Sequence, residues 1–170
     1  MYNENQNTTL KMLMEYKVWA DTITYDSVLK LPEHEILKVR DTNFKTIAQT
    51  LNHIFVVEDI FKAHLTGEKH DYIARNTVDV PAIDRLWSLE QKMNDWYLNL
   101  IENSSANDLS EVINFEFVDG GEGSMSREEI ILHIVNHATY HRGFVSDLMY
   151  QIPVRMPAND LPVFLREKSQ

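Results

Sequence analysis

The stretch His133-Ile-Val-Asn-His137-Ala-Thr-Tyr-His141-Arg-Gly143 sets three histidines at four-residue intervals inside an apolar run. On a helix, residues four apart are stacked neighbours on one face. Two imidazoles so placed can close on one metal ion, as the paired histidines of helical zinc sites do. All three cannot serve one ion, because His133 and His141 would lie roughly 12 Å apart along the helix axis. Periodicity chooses between the pairs. At about 100° per residue, Ile130, Ile134, Phe144, Val145 and Leu148 define an apolar sector. His137 and His141 fall inside it, and His133 falls just outside its edge. A buried imidazole needs a partner. The residues alone leave two open: a metal ion, or backbone and water around a pair of core histidines.

The elements that must position these side chains follow from the rest of the chain. Residues 8–31 read as a first helix, capped by Asn7 or Thr8 and stopped by Pro32. A polar connection over 33–43 leads to a second helix from Phe44 to Leu65, closed by Thr66-Gly67. Its apolar stripe of Ile47, Leu51, Ile54, Phe61 and Leu65 contains one carboxylate, Glu58, an unusual resident of such a stripe. Glu58 has two readings. It either supports a metal site, as a partner of a ligand histidine or a base on bound water, or meets a lysine or tyrosine of a neighbouring helix. His53 sits on the shoulder of the stripe, where periodicity does not distinguish it from His64.

His70 to Val80 is long enough to carry the chain back along a bundle in place of a tight hairpin. Pro81 suits the first turn of a third helix reaching Asn103, with a broad apolar face that includes Leu86, Trp87, Met93 and Tyr97. Ser104 to Asp108 reads as a loop. The alternation from Glu111 to Val118, followed by Asp119-Gly-Gly-Glu-Gly123, predicts a short hairpin returning through Ser124 and Met125. Ser126-Arg-Glu-Glu129 is a capping box that opens the histidine helix, which runs to Tyr150, and Asp160 to Arg166 predicts a short terminal helix. The fold class is therefore all-α: one domain over residues 1–170, a four-helix bundle with a small β-hairpin before the last long helix and a short C-terminal helix.

Composition narrows the function. Acidic residues outnumber basic ones 26 to 16, and the net charge of −10 repels phosphate backbones, which argues against nucleic acid as a partner. No run is long and apolar enough for a membrane span, and the N-terminal residues lack the pattern of a signal peptide, so the expected address is cytoplasmic. With no cysteine in the chain, any metal site must use nitrogen and oxygen, and any thiol chemistry must use a thiol from outside. No Glu-x-x-His occurs, which disfavours a ferritin-like di-iron bundle.

Residues 133–143 resemble the HxxNHxxYHRG signature of the DinB-like superfamily of helical metalloproteins. Tyr16-Lys-Val-Trp19-Ala20-Asp21, Leu51-Asn-His53-Ile54 and Pro157-Ala-Asn-Asp160-Leu161 resemble its other segments in order and spacing. The chain departs from that pattern at Asp21, where Asn is usual, at Phe144, where Gln is common, and after Tyr150, where a Gly is missing. Carried over residue by residue, the resemblance implies metal ligands at His53, His137 and His141, and it is what promotes His53 over His64. Three nitrogens with an open fourth position are the pattern of a catalytic zinc site; structural sites are closed by four protein ligands. The resemblance further implies one divalent metal ion, zinc before nickel or another transition metal. It also implies a small-molecule substrate, a homodimer, and S-transfer with a low-molecular-weight thiol such as mycothiol or bacillithiol. The alternatives are a metal-dependent hydrolase that activates water and a non-catalytic bundle that binds a metal or ligand.

Overall fold

The computed structural model describes residues 4–169, with side chains from residue 8 onward. The elements in order are α1 (Glu4–Val28), α2 (Glu33–Ile36), α3 (Ile47–Thr66), α4 (Ile83–Glu102), α5 (Ala106–Ser110), β1 (Val112–Glu116), β2 (Glu122–Ser126), α6 (Arg127–Tyr150) and α7 (Leu161–Lys168). The four long helices α1, α3, α4 and α6 form the bundle: α6 packs on α1 and α3, and α4 packs on both α1 and α3. No described helix is long and apolar enough to cross a membrane.

Two apolar clusters fill the bundle. One joins Leu10 and Met14 of α1 to Phe61, Tyr97, Ile130 and Ile134. The other joins Tyr25 and Val28 to Leu51, Leu86, Val145 and Leu148. These residues recur at three- and four-residue spacing along each helix, so one face of every long helix is withdrawn from water. The terminal helix α7 seats Phe164 against Tyr16 and Trp19 of α1, with ring centroids 5.9 and 5.7 Å apart.

Several boundaries differ from the sequence reading. Helix α1 begins at Glu4, upstream of the expected cap at Asn7 or Thr8, and the side chain of Asn7 lies outside the described residues. Its other end is Val28, short of Leu31. Pro32 does not stop α1 but precedes α2, a single turn inside what reads as a polar connection. That turn is anchored by buried Ile36 and by Arg40, whose guanidinium donates to Glu35 O at 2.9 Å. Phe44 is excluded from α3 because Lys45 takes a positive φ of 65°. Thr46 becomes the cap, accepting from the Gln49 amide at 2.9 Å. The expected stop of α3 is present, with Gly67 in the left-handed region at φ 72°. Pro81 stays outside α4, which starts at Ile83.

The stretch read as a loop after α4 contains α5, capped by Ser105 and Asp108, which exchange hydrogen bonds with each other's backbone. The hairpin forms with Val112 opposite Ser126 and Glu116 opposite Glu122. Gly123 is required there, since a Cβ would sit 2.4 Å from the Phe115 ring. Phe115 in turn packs on Phe61 of α3, which brings the hairpin over one end of the bundle. The Ser126–Glu129 capping box opens α6 as the sequence predicts.

Candidate metal centre

His53 comes from the middle of α3, and His137 and His141 come from successive turns of α6. The packing of these two helices brings the three rings together. Ring centroids are 4.9 Å apart for His53 and His137, 4.5 Å for His53 and His141, and 4.4 Å for His137 and His141. One nitrogen from each lies within 4.8 Å of the others. The Nε2 atoms of His53 and His137 are 3.1 Å apart. Nitrogens around a tetrahedral zinc ion stand about 3.3 Å apart when each bond is about 2.0 Å, and the His53–His137 pair already stands near that spacing.

The protonation states also fit. His53 Nδ1 lies 2.5 Å from the Arg75 carbonyl, which fixes the proton on Nδ1 and leaves the Nε2 lone pair facing the other rings. Burial, and then the neighbouring rings His141 and His53, push the pKa of His137 down to about 2. Burial and then His53 push that of His141 down to about 4. Both rings are thus neutral, the form that ligates. His137 and His141 each keep a buried Nδ1 with no protein partner among the described residues. Three neutral imidazoles with converging nitrogens and incomplete pairing are a donor set suited to a divalent cation.

The rings open onto a cavity of about 750 Å³. Its walls are largely apolar, with Phe44, Val57 and Phe61 on one side and Phe117 and Met125 of the hairpin region on the other. Phe44 stacks on His53 with centroids 4.4 Å apart, so the residue that reads as the start of α3 is a wall of the site. The segment 74–76 forms the remaining rim. Asn52 ties that segment down by donating to Asn76 Oδ1 at 2.5 Å and Thr77 Oγ1 at 2.8 Å.

His133 does not join the group of three converging rings, but it is not peripheral either. It is half-buried on the cavity wall, 4.9 Å from Phe61 and 5.4 Å from His137 by ring centroids. Periodicity puts it at the edge of the apolar sector because it faces a cavity and not packed side chains. Phe144, assigned to that sector, is instead partly exposed against Tyr140 and His141.

Glu58 is not brought to the histidines. It points into the centre of the bundle, fully buried, with Lys17 Nζ 2.9 Å from its Oε1, and its main-chain carbonyl accepts from Tyr97 Oη at 2.8 Å. The carboxylate thus meets a lysine of a neighbouring helix, while the tyrosine reaches only its main chain. Lys17 also donates to Asp21 at 2.7 Å, Glu90 at 2.8 Å and Asn94 at 2.7 Å. Asp21 in turn accepts from Arg142 at 2.8 Å. The network touches all four long helices, and sequence reasoning missed most of it. Burial alone would lower the pKa of Lys17, but Asp21, Glu58 and Glu90 outweigh that and raise it. Burial would raise that of Asp21, but Lys17 and Arg142 hold it below the usual range. Glu58 is pushed well up by burial and by Glu90. Two cations therefore face three carboxyls, and the set is neutral when Glu58 keeps its proton. The carboxylate at position 21 balances Arg142, a role that an amide would not fill.

The depressed histidine pKa values set a direction for stability. A histidine folded with a pKa below its ordinary 6.5 contributes stability that is fully present above 6.5 and is lost as pH falls, because the unfolded chain takes up protons first. Metal-free protein should therefore lose stability steadily between pH 6.5 and about 4, the value reached by His141. Urea denaturation at a series of pH values reads this. A flat profile across that window contradicts the buried neutral rings.

The chain belongs to the DinB family, whose family model matches residues 1–170. It is 21% identical over 159 residues to Protein DinB of Bacillus subtilis (strain 168), covering 90% of this chain and 91% of that protein. Among solved structures, it resembles a DinB-like protein from Bacillus cereus ATCC 10987 with a TM-score of 0.66 and 16% identity, over 86% of this chain and 94% of the other. It also resembles YfiT from Bacillus subtilis, described as a probable metal-dependent hydrolase with an unusual four-helix bundle topology. That match has a TM-score of 0.62 and 15% identity over 89% and 90% of the two chains.

Proposed function

We propose that the protein is a metal-dependent enzyme acting on a small molecule, with His53, His137 and His141 as ligands of one divalent ion, zinc before nickel. The chemistry we assign is transfer of an external low-molecular-weight thiol. The observation that carries this reading is the convergence of three neutral imidazoles at the floor of a cavity lined by no carboxylate. A bound divalent cation would supply Lewis acidity that lowers the pKa of a thiol or water held against it.

The protein's own residues supply the rest. Arg75 O holds the His53 ring through Nδ1–H, so its free nitrogen faces the cavity. Burial keeps His137 and His141 in the ligating form. Phe44, Val57 and Phe61 exclude water from the reacting atoms and offer an apolar bed for a substrate. A thiol, once ionised, is itself the nucleophile, so the lack of a cavity carboxylate is no handicap.

Water activation is the second reading, favoured by His133. Its ring lines the same cavity and would serve as the proton acceptor that hydrolysis needs. The description of YfiT as a probable metal-dependent hydrolase favours the same reading.

Cobalt-substituted protein separates the two. Titration with bacillithiol, mycothiol, glutathione and coenzyme A should give a saturable sulfur-to-cobalt charge-transfer band with one of them, and His141→Ala should abolish it. Spectra that respond to small hydroxamates but to no thiol would overturn thiol transfer in favour of hydrolysis.

A further inference from the structure

We propose that the substrate or thiol held in this cavity carries a carboxylate, and that Arg75 is its counter-ion. The inference rests on the metal-dependent reading above and names the class of molecule that the site selects. The chain carries a net charge of −10, yet its largely apolar cavity has no Asp or Glu in its lining and only one side-chain cation, Arg75. A lone side-chain cation lining a cavity of an acidic protein is a selective feature for an anion.

The position of Arg75 is fixed from below. Its carbonyl is bonded to His53 Nδ1, so its backbone stands one hydrogen bond away from a ring of the metal centre. Asn76, the next residue, donates to Gln49 O at 2.9 Å and accepts from Asn52, which pins the same segment to α3. Arg75 lines the cavity, and its guanidinium lies 3.6 Å from Asp119 Oδ2 at the hairpin turn. Both side chains of that pair are about two-thirds exposed, at 65% and 66%. An exposed pair at this distance contributes little and is readily exchanged. Asp119 therefore acts as a resident carboxylate that an incoming one can replace.

Shape and charge select among anions. The guanidinium is planar and matches a carboxylate through two parallel hydrogen bonds. A phosphate dianion would want a second cation, and the cavity lining offers no lysine or further arginine. The inferred molecule has its reacting atom at the histidines, a short apolar body against Phe44 and Phe61, and a carboxylate at the Arg75 rim. A cavity of about 750 Å³ is of the size that holds such a small molecule.

The test uses cobalt-loaded full-length protein and two probes of equal shape, 3-mercaptopropionate and 3-mercaptopropionamide, each followed by the charge-transfer band. The acid should bind the wild-type protein about tenfold more tightly than the amide or better. Arg75→Gln should erase that preference, and Arg75→Lys should restore part of it. Asp119→Asn should shift the preference the other way, tightening the acid a fewfold and leaving the amide alone. Metal content is measured on the same samples. Loss of metal from the wild-type protein would contradict the histidine assignment. Metal-loaded protein that binds acid and amide alike, or binds neither, would overturn the carboxylate subsite, as would a preference that survives Arg75→Gln.

Discussion

His137→Ala is expected to leave the protein folded and without its metal. His137 is the ring that shares the 3.1 Å nitrogen contact with His53 and lies next to His141 on the same helix face, so it bridges the set. Removing it leaves two nitrogens on different helices. The loss of affinity should exceed the roughly 10- to 100-fold typical of outer-shell partners. Fold should survive, because His137 is only part-buried and Ala is a good helix former. His53→Ala and His141→Ala should behave alike, whereas His133→Ala should retain the metal. Elemental analysis after dialysis reads all four. Full occupancy in His137→Ala would refute the ligand set, and so would metal loss confined to His133→Ala.

The largest expected effect on stability lies elsewhere, at Lys17. Its ammonium is fully buried and lies within 2.9 Å of Asp21, Glu58 and Glu90. Lys17→Ala would leave three buried carboxyls with Arg142 as the only remaining cation and open a cavity between α1, α3 and α4. Breaking a buried pair from one side costs about 3–5 kcal/mol, and here one cation serves three partners. Chemical denaturation should show a loss of at least about 3 kcal/mol. Glu58→Gln is the informative contrast. Because burial and Glu90 push the Glu58 carboxyl toward its neutral form, an amide there should be tolerated within about 1 kcal/mol, and metal affinity should not change. A large loss of metal in Glu58→Gln would return that residue to the site.

Local signals announced much of this protein, and the unannounced parts have identifiable causes. The histidine helix was legible because i, i+4 spacing, a capping box and an apolar sector coincide within one stretch. The hairpin was legible because the alternation from Glu111 to Val118 runs into the glycines at 120 and 121, which mark a reversal, although Glu122 and Gly123 already belong to the returning strand. His53 needed the family resemblance, since its position on the shoulder of a stripe is shared with His64. Phe44 reads as helix by hydrophobicity, and only the left-handed backbone at Lys45 turns it into a wall beside His53. The Lys17 network was hidden for a different reason. Lys17 and Asp21 on α1, Glu90 on α4 and Arg142 on α6 are unremarkable singly, and their pairing depends on which helices face one another. His133 shows the limit of periodicity itself, which marks the edge of a buried face without separating a packed edge from a cavity wall. The rim at Arg75 was equally invisible, because a long crossover carries no periodic signal to say which side chains face the site.

The central claim, one divalent ion held by three named histidines, is tested most directly by anomalous scattering from crystals of zinc-loaded protein, collected above and below the metal absorption edge. The predicted result is a single strong difference peak about 2.0–2.1 Å from a ring nitrogen of each of His53, His137 and His141. It should face the cavity beneath Arg75, with His133 outside bonding distance. A peak bonded to His133 in place of His141, or no peak among these rings in protein that carries zinc elsewhere, would contradict the account.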